Sequence, residues 1–109
     1  MKYIVTGGAG FIGSNIVKKL VSREDHVIVI DNLNTGNEKN LESVKDKISF
    51  FNDSILNLDL LEKLTHDIDG VFHQAALASV QDSFSKPEEY HNVNVIGTEN
   101  ILKLAKKNN

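Results

Sequence analysis

Short apolar runs alternate with amphipathic stretches along this chain, and the period of each stretch names its element. Lys2–Thr6 is rich in β-formers and halts at glycine, which predicts a buried strand. Over residues 11–21 the apolar positions Ile12, Ile16, Val17, Leu20 and Val21 recur at helical spacing, and Ser22-Arg23-Glu24-Asp25 closes that helix. His26–Ile30 is apolar on both faces, as a parallel strand covered by helices must be. Residues 31–37 are polar, contain Gly36 and read as a loop, and residues 38–47 read as a short helix. A third strand is expected at 48–52, a helix at 55–64 and a fourth strand at 71–74. Residues 78–86 read as a loop, with Pro87 suited to the first turn of a last helix over 88–107. That helix carries two apolar stripes: Tyr90, Val93, Gly97, Ile101 and Leu104 on one side, Val95, Leu102 and Ala105 on another. Two stripes want two partners. Lys103, Lys106 and Lys107 complement the dipole at its end.

Four strands, each followed by a helix, imply an α/β fold with a parallel sheet and right-handed crossovers. Strand starts near residues 2, 26, 48 and 71 fit a Rossmann-like, doubly wound sheet of order 3-2-1-4, ending after its fourth βα unit. Ligand is expected where that order reverses, at the carboxyl ends of the strands.

Composition narrows the class. The 109 residues are 40% hydrophobic with 7 Gly, 1 Pro and no Cys, which suits one domain, or a piece of one, spanning 1–109. Collagen-like, low-complexity and disulfide-stapled classes are excluded, and no internal repeat is visible. A formal net charge of −3 argues against a general nucleic-acid binder, which needs a basic face. The longest apolar stretch, Val27-Ile28-Val29-Ile30, is too short to span a bilayer, and Gly7, Gly8, Gly10 and Gly13 interrupt any leader-like start. The absence of cysteine is compatible with the cytoplasm.

Candidate chemistry begins at Thr6-Gly7-Gly8-Ala9-Gly10-Phe11-Ile12-Gly13, between the first strand and the first helix. Two glycine patterns overlap, Gly7/Gly10/Gly13 and Gly8/Gly10/Gly13. In either, one glycine makes a tight turn, one lets backbone approach a pyrophosphate, and Gly13 lets helix and strand pack closely. The helix start then presents N–H groups and partial positive charge to the phosphates. No Gly-Lys-Ser/Thr follows, so this is not a nucleotide-triphosphate P-loop. Asp31 closes the second strand, 24 residues after Gly7, where a carboxylate accepts bonds from ribose hydroxyls and repels a 2′-phosphate. No Lys or Arg lies between Asp31 and Glu38, so NAD is expected over NADP. Asp53 ends the third strand, either reaching an adenine edge or capping a helix that starts near Ile55. His26, His66, His73 and His91 lack partners at ligand spacing, so no metal site is expected, and His73 reads as a packed residue at a strand end.

Together with Asp31-Asn32-Leu33 and Asp53, the segments His73-Gln74-Ala75-Ala76 and Asn94-Val95-Ile96-Gly97-Thr98 complete a pattern. The chain resembles the extended short-chain dehydrogenase/reductases, and within them the NAD-dependent sugar-nucleotide epimerases and dehydratases of the UDP-glucose 4-epimerase kind. The resemblance implies Gly7, Gly10, Phe11, Ile12 and Gly13 at the pyrophosphate, and Asp31, Asn32, Asn34, Thr35 and Gly36 around the adenosine ribose. It implies Asp53 and Ser54 beside the adenine, Gln74, Ala75, Ala76 and Ala78 along the nicotinamide-side ribose, and Asn94 bracing that region. Ser79 and Val80 would approach a nucleotide-sugar substrate. The small side chains of Ala75 and Ala76 also have a physical logic, letting the chain pass close to a flat cofactor.

The same resemblance locates the chemistry in a Tyr with a Lys four residues later, with a Ser or Thr from an earlier strand end. Here Tyr3 is followed at that distance by Gly7 and Tyr90 by Asn94, so no catalytic residue is assigned within these 109. The expectation is the N-terminal cofactor-binding segment of such an enzyme, with little turnover alone. It is also expected to form a homo-oligomer, in the simplest case a dimer, through the fourth-strand edge or the two-striped helix. Alternatives are a non-catalytic NAD-binding sensor or scaffold module, and a methyltransferase that binds S-adenosylmethionine. The latter usually has an acidic residue where Thr6 stands.

Overall fold

The first two strands of this protein alternate isoleucine and valine, and the alternation sorts them to opposite faces of a sheet. In the computed structural model, which describes residues 1–64, 67–77 and 80–108 (the side chains of Val80, Lys107 and Asn108 excepted), two buried clusters result. Ile4, Ile28 and Ile30 join Ile55, Leu61, Ile68, Ile101 and Leu104 on one face. Val5, Val27 and Val29 join Ala9, Val17, Leu20 and Leu41 on the other.

The strands are β1 (Lys2–Thr6), β2 (His26–Ile30), β3 (Ile48–Phe51) and β4 (Gly70–His73). All pairings are parallel, in the order β3-β2-β1-β4, as the sequence predicts. The strands also stop level with one another. Thr6 lies opposite Ile30 on one side and His73 on the other, and Ile30 lies opposite Phe51. The residues that follow, Gly7, Asp31, Asn52 and Gln74, therefore leave the sheet at one rim, where the order reverses about β1.

Helix α1 (Phe11–Ser22) starts where predicted, runs one residue past its predicted end at 21, and buries Gly13, Ser14, Val17 and Leu20. Residues Glu38–Lys47 form a 3-10 segment instead of an α-helix. Its two apolar residues, Leu41 and Val44, stand three apart and so share one edge of a three-residue turn, where they pack beside the valine cluster. Helix α2 (Leu58–Lys63) starts later than the predicted residue 55. Asn57 is the reason: its N–H donates to the Ser54 carbonyl at 3.0 Å, and its side chain then caps the Leu60 N–H at 3.2 Å. β3 ends one residue short of its predicted bound, and β4 begins and ends one residue early.

The expected loop over 78–86 is corrected by helix α3 (Val80–Ser85), whose polar composition hides it from periodicity. The Lys86 N–H closes it on the Asp82 carbonyl at 2.9 Å, and Lys86, ahead of Pro87, has left the helical region with φ −132° and ψ 54°. The last predicted helix is one helical run of three parts: α4 (Pro87–His91), a π-type segment (Asn92–Gly97) and α5 (Thr98–Asn108). Of its two stripes, Gly97, Ile101 and Leu104 are buried, while Val95 and Leu102 are exposed. Among the described residues no helix is long and apolar enough to cross a membrane.

Candidate functional site

The rim begins with a turn that only glycine can make. Gly7 has φ +66°, and a Cβ there would sit 2.7 Å from the Gln74 carbonyl carbon. Its N–H donates to the Ile30 carbonyl at 2.8 Å, and its own carbonyl accepts the Gly10 N–H at 3.1 Å. A Cβ at Gly13 would lie 2.2 Å from the Gly7 carbonyl oxygen, so α1 packs directly on the turn. Gly10 is the N-cap of α1 and provides no side-chain cap. The first-turn N–H groups of Phe11, Ile12 and Gly13 have no upstream carbonyl in the helix to receive them, which leaves donors for an anion. The side chains of Phe11 and Ile12 are exposed beside them.

Asp31 follows β2 and is buried, 8% exposed. Its carboxylate accepts the Ala9 N–H at 2.9 Å and the Leu33 N–H at 2.7 Å. Leu33 takes φ 62° to complete this turn, and the Asn34 N–H donates to the Asn32 side chain at 3.0 Å. The Ala9 peptide is gripped from both ends, because its carbonyl also accepts from the Asn37 N–H at 3.0 Å and the Asn40 amide at 2.8 Å. Gly36 fits under Asp31, where a Cβ would lie 2.8 Å from a carboxylate oxygen, and Thr35 is exposed next to it. Asp53 does not cap α2. It accepts the Ser54 N–H at 2.7 Å and the Asn57 amide at 2.9 Å.

Beyond β4, Thr6 Oγ1 accepts the N–H groups of Gln74 at 3.0 Å and Ala75 at 3.1 Å. Asn94, on the π-type segment, holds both sides of one residue: its Oδ1 accepts the Leu77 N–H at 2.8 Å and its Nδ2 donates to the Leu77 carbonyl at 2.9 Å. π-type segments recur at functional sites, and here one points a side chain at the cleft wall. His73 bonds Thr6 at 2.7 Å and Thr98 at 2.9 Å, and partial burial lowers its pKa below the ordinary histidine value.

Nine of the sequence-predicted residues line one cleft: Gly7, Asp31, Asn32, Asn34, Asp53, Ser54, Gln74, Ala75 and Ala76. Gly10, Phe11, Ile12 and Gly13 adjoin it through the glycine turn, Thr35 and Gly36 back Asp31, and Asn94 reaches its wall residue Leu77. Ala78 and Ser79 lie outside the described residues, as does the side chain of Val80 at the start of α3. The sequence reading missed the apolar lining by Ile30, Ile55, Leu77 and Val93, and also Thr6, Asn40 and Thr98. Ile30 and Thr6 could have been found as the last residues of their strands. Among the described residues, no group of three or more His, Cys, Asp or Glu could hold a metal ion.

The glycine turn leaves room that any Cβ would take, the helix start offers donors, and a buried carboxylate stands at the next strand end. A doubly wound parallel sheet with these parts at its order reversal defines a dinucleotide-binding domain.

The chain belongs to the NAD dependent epimerase/dehydratase family, whose model matches residues 3–109. It is 46% identical over 105 residues to a putative UDP-glucose 4-epimerase of Methanocaldococcus jannaschii, matching 95% of this chain and 33% of that protein. Among solved structures it superposes on the UDP-glucose 4-epimerase of Thermotoga maritima, crystallised with UDP-glucose, with TM-score 0.91 and 39% identity. That match covers 99% of this chain and 35% of the other. DesIV, a dTDP-glucose 4,6-dehydratase from Streptomyces venezuelae with NAD bound, gives TM-score 0.90 at 34% identity, covering 99% of this chain and 36% of its own. The chain thus spans about a third of the length of these relatives.

Proposed function

We propose that this chain is the NAD-binding portion of a sugar-nucleotide epimerase or dehydratase, of the UDP-glucose 4-epimerase kind. The observation that carries the proposal is the shared rim, where the Gly7 turn and the buried Asp31 line one cleft and the start of α1 adjoins it. In this reading the N–H groups of Phe11, Ile12 and Gly13 bind the pyrophosphate, with Gly7 and Gly10 giving it room. Asp31, with Asn32, Asn34, Thr35 and Gly36, holds the adenosine ribose, and Asp53 and Ser54 flank the adenine. Gln74, Ala75, Ala76 and Ala78 form the wall for the nicotinamide-side ribose, braced by Asn94. Ser79 and Val80 meet the nucleotide sugar.

NAD, when bound, supplies reversible hydride acceptance at its nicotinamide. The residues present here bind, orient and exclude water; the proton transfer at the sugar hydroxyl calls for a Tyr-x-x-x-Lys pair that these 109 residues do not contain. The relatives named above support a nucleotide-sugar substrate, and the lack of cysteine supports a reducing, cytoplasmic setting. The β4 edge and the exposed Val95 and Leu102 support a dimer, which light scattering at high concentration would refute by returning a monomeric mass.

Calorimetric titration with NAD, NADP and S-adenosylmethionine tests the core of the proposal. NAD should bind, NADP at least tenfold more weakly, and S-adenosylmethionine not at all. Folded protein that gives no heat with millimolar NAD would overturn it.

A further inference from the structure

The hydrogen bonds around His73 fit together under one placement of their protons. The Thr98 hydroxyl donates to the Asn94 carbonyl at 2.8 Å, so toward His73 Nε2, 2.9 Å away, it acts as an acceptor. His73 therefore carries its proton on Nε2, and its bare Nδ1 accepts the Thr6 hydroxyl proton at 2.7 Å. The Thr6 oxygen is then left to accept the Gln74 and Ala75 N–H groups, and it does so at 3.0 and 3.1 Å. The burial that lowers the His73 pKa favours this neutral form. One directed chain of bonds thus runs from the π-type segment, through a single imidazole, to the two backbone amides that begin the cleft wall beyond β4.

We infer that Thr98 and His73 are positioning residues for the bound dinucleotide, fixing the Gln74–Ala75 wall through Thr6 without touching the ligand. The inference rests on the reading of the cleft as an NAD site. Thr98 is not part of the cleft lining, so it acts on binding through His73 or, by its bond to the Asn94 carbonyl, through the segment that holds Leu77, and the His73 ring signal separates the two routes. Without the Thr98 hydroxyl, Nε2–H loses its acceptor and the ring gains by moving its proton to Nδ1. That nitrogen then donates toward Thr6, whose hydroxyl oxygen must release an amide donor; the Gln74 N–H can fall back on the Thr6 carbonyl at 3.1 Å, so the wall shifts toward the strand. The disturbance falls on the β4 side of the cleft. The Asp31 side is held by separate bonds to Ala9 and Leu33.

Thr98→Val and Thr98→Ser, each titrated calorimetrically with NAD and with ADP, test the inference, alongside nitrogen NMR of the His73 ring. The valine variant should weaken NAD binding about five- to tenfold, the range one lost buried hydrogen bond supports, while ADP binding stays at the parent value. Its His73 signal should move from the Nε2–H to the Nδ1–H form, and the serine variant should restore both readouts. Should the valine variant unfold, Thr98→Ala carries the same expectation. Equal NAD affinity in the parent and valine chains would overturn the inference, as would parallel losses for NAD and ADP, which signify general loosening. A parent chain that keeps the Nε2–H signal but binds no NAD overturns the cofactor reading and, with it, the positioning role.

Discussion

Gly13→Ala sets two physical effects against each other, and the structure decides the sign. Gly13 lies inside α1, where alanine is intrinsically better than glycine by about 1 kcal/mol. On propensity alone the substitution stabilises. The added methyl, however, would lie 2.2 Å from the Gly7 carbonyl oxygen and 2.9 Å from the Gly7 carbonyl carbon and the Gly8 Cα. These are backbone atoms, so no side chain can rotate away, and reaching even 3.0 Å requires a shift of at least about 0.8 Å. Overpacking of this kind costs about 1–3 kcal/mol where the surroundings can adjust and more where they cannot. The Gly7 turn is pinned by the Gly7–Ile30 and Gly10–Gly7 bonds, so the upper end applies. We expect a net loss of about 2 kcal/mol, read by urea unfolding, or a melting point lower by about 8 °C. Calorimetry should show at least tenfold weaker NAD binding, since the shift carries the first-turn donors away from the phosphates. Lys18→Ala, at an exposed position of the same helix, serves as the control and should stay within about 0.5 kcal/mol. A neutral or stabilised Gly13→Ala chain would refute the claim that close approach, rather than helix propensity, governs this position.

Two further outcomes follow from the same geometry. Asp31→Ser removes the acceptor for the Ala9 and Leu33 N–H groups as well as the charge that repels a 2′-phosphate. Calorimetry should therefore show NAD affinity falling at least tenfold without NADP gaining the parent's NAD affinity; a clean exchange of preference would sink this account. For His73, burial sets the folded pKa below the ordinary value of 6.5, so the unfolded chain takes up the proton first as pH falls. Its contribution to stability is whole above 6.5 and shrinks as pH drops from there toward the folded-state pKa. His73→Gln should reduce the loss of stability between pH 7.5 and pH 5.5 in urea unfolding, and an unchanged slope would count against the assignment.

The layered sheet was legible because every strand is apolar on both faces, a property of local sequence. The glycine turn and Asp31 were legible because their spacing reflects the pitch of one strand–helix–strand unit. Helix α3 was not, since Val80-Gln81-Asp82-Ser83-Phe84-Ser85 shows no repeating apolar face and its start and stop are set by backbone bonds and Pro87. The late start of α2 turned on which of two nearby polar residues, Asp53 or Asn57, would cap, a matter of turn geometry rather than pattern. The bonding of Thr6 and Thr98 to His73, itself read as a packed strand-end residue, was missed for a different reason. The three come from positions separated by 67 and 25 residues, and only the closed sheet makes them neighbours.

The strand order also bears on how a growing chain acquires this cleft. β1 meets β2 across 24 residues of sequence but meets β4 only across 67, a longer loop whose closure costs about 0.9 kcal/mol more. The phosphate and Asp31 half needs only the first βαβ unit and the loop after it, whereas the opposite wall waits for β4 and for the helix that carries Thr98. As synthesis proceeds from the amino end, half of the nucleotide pocket becomes possible while more than half of these residues have yet to be added.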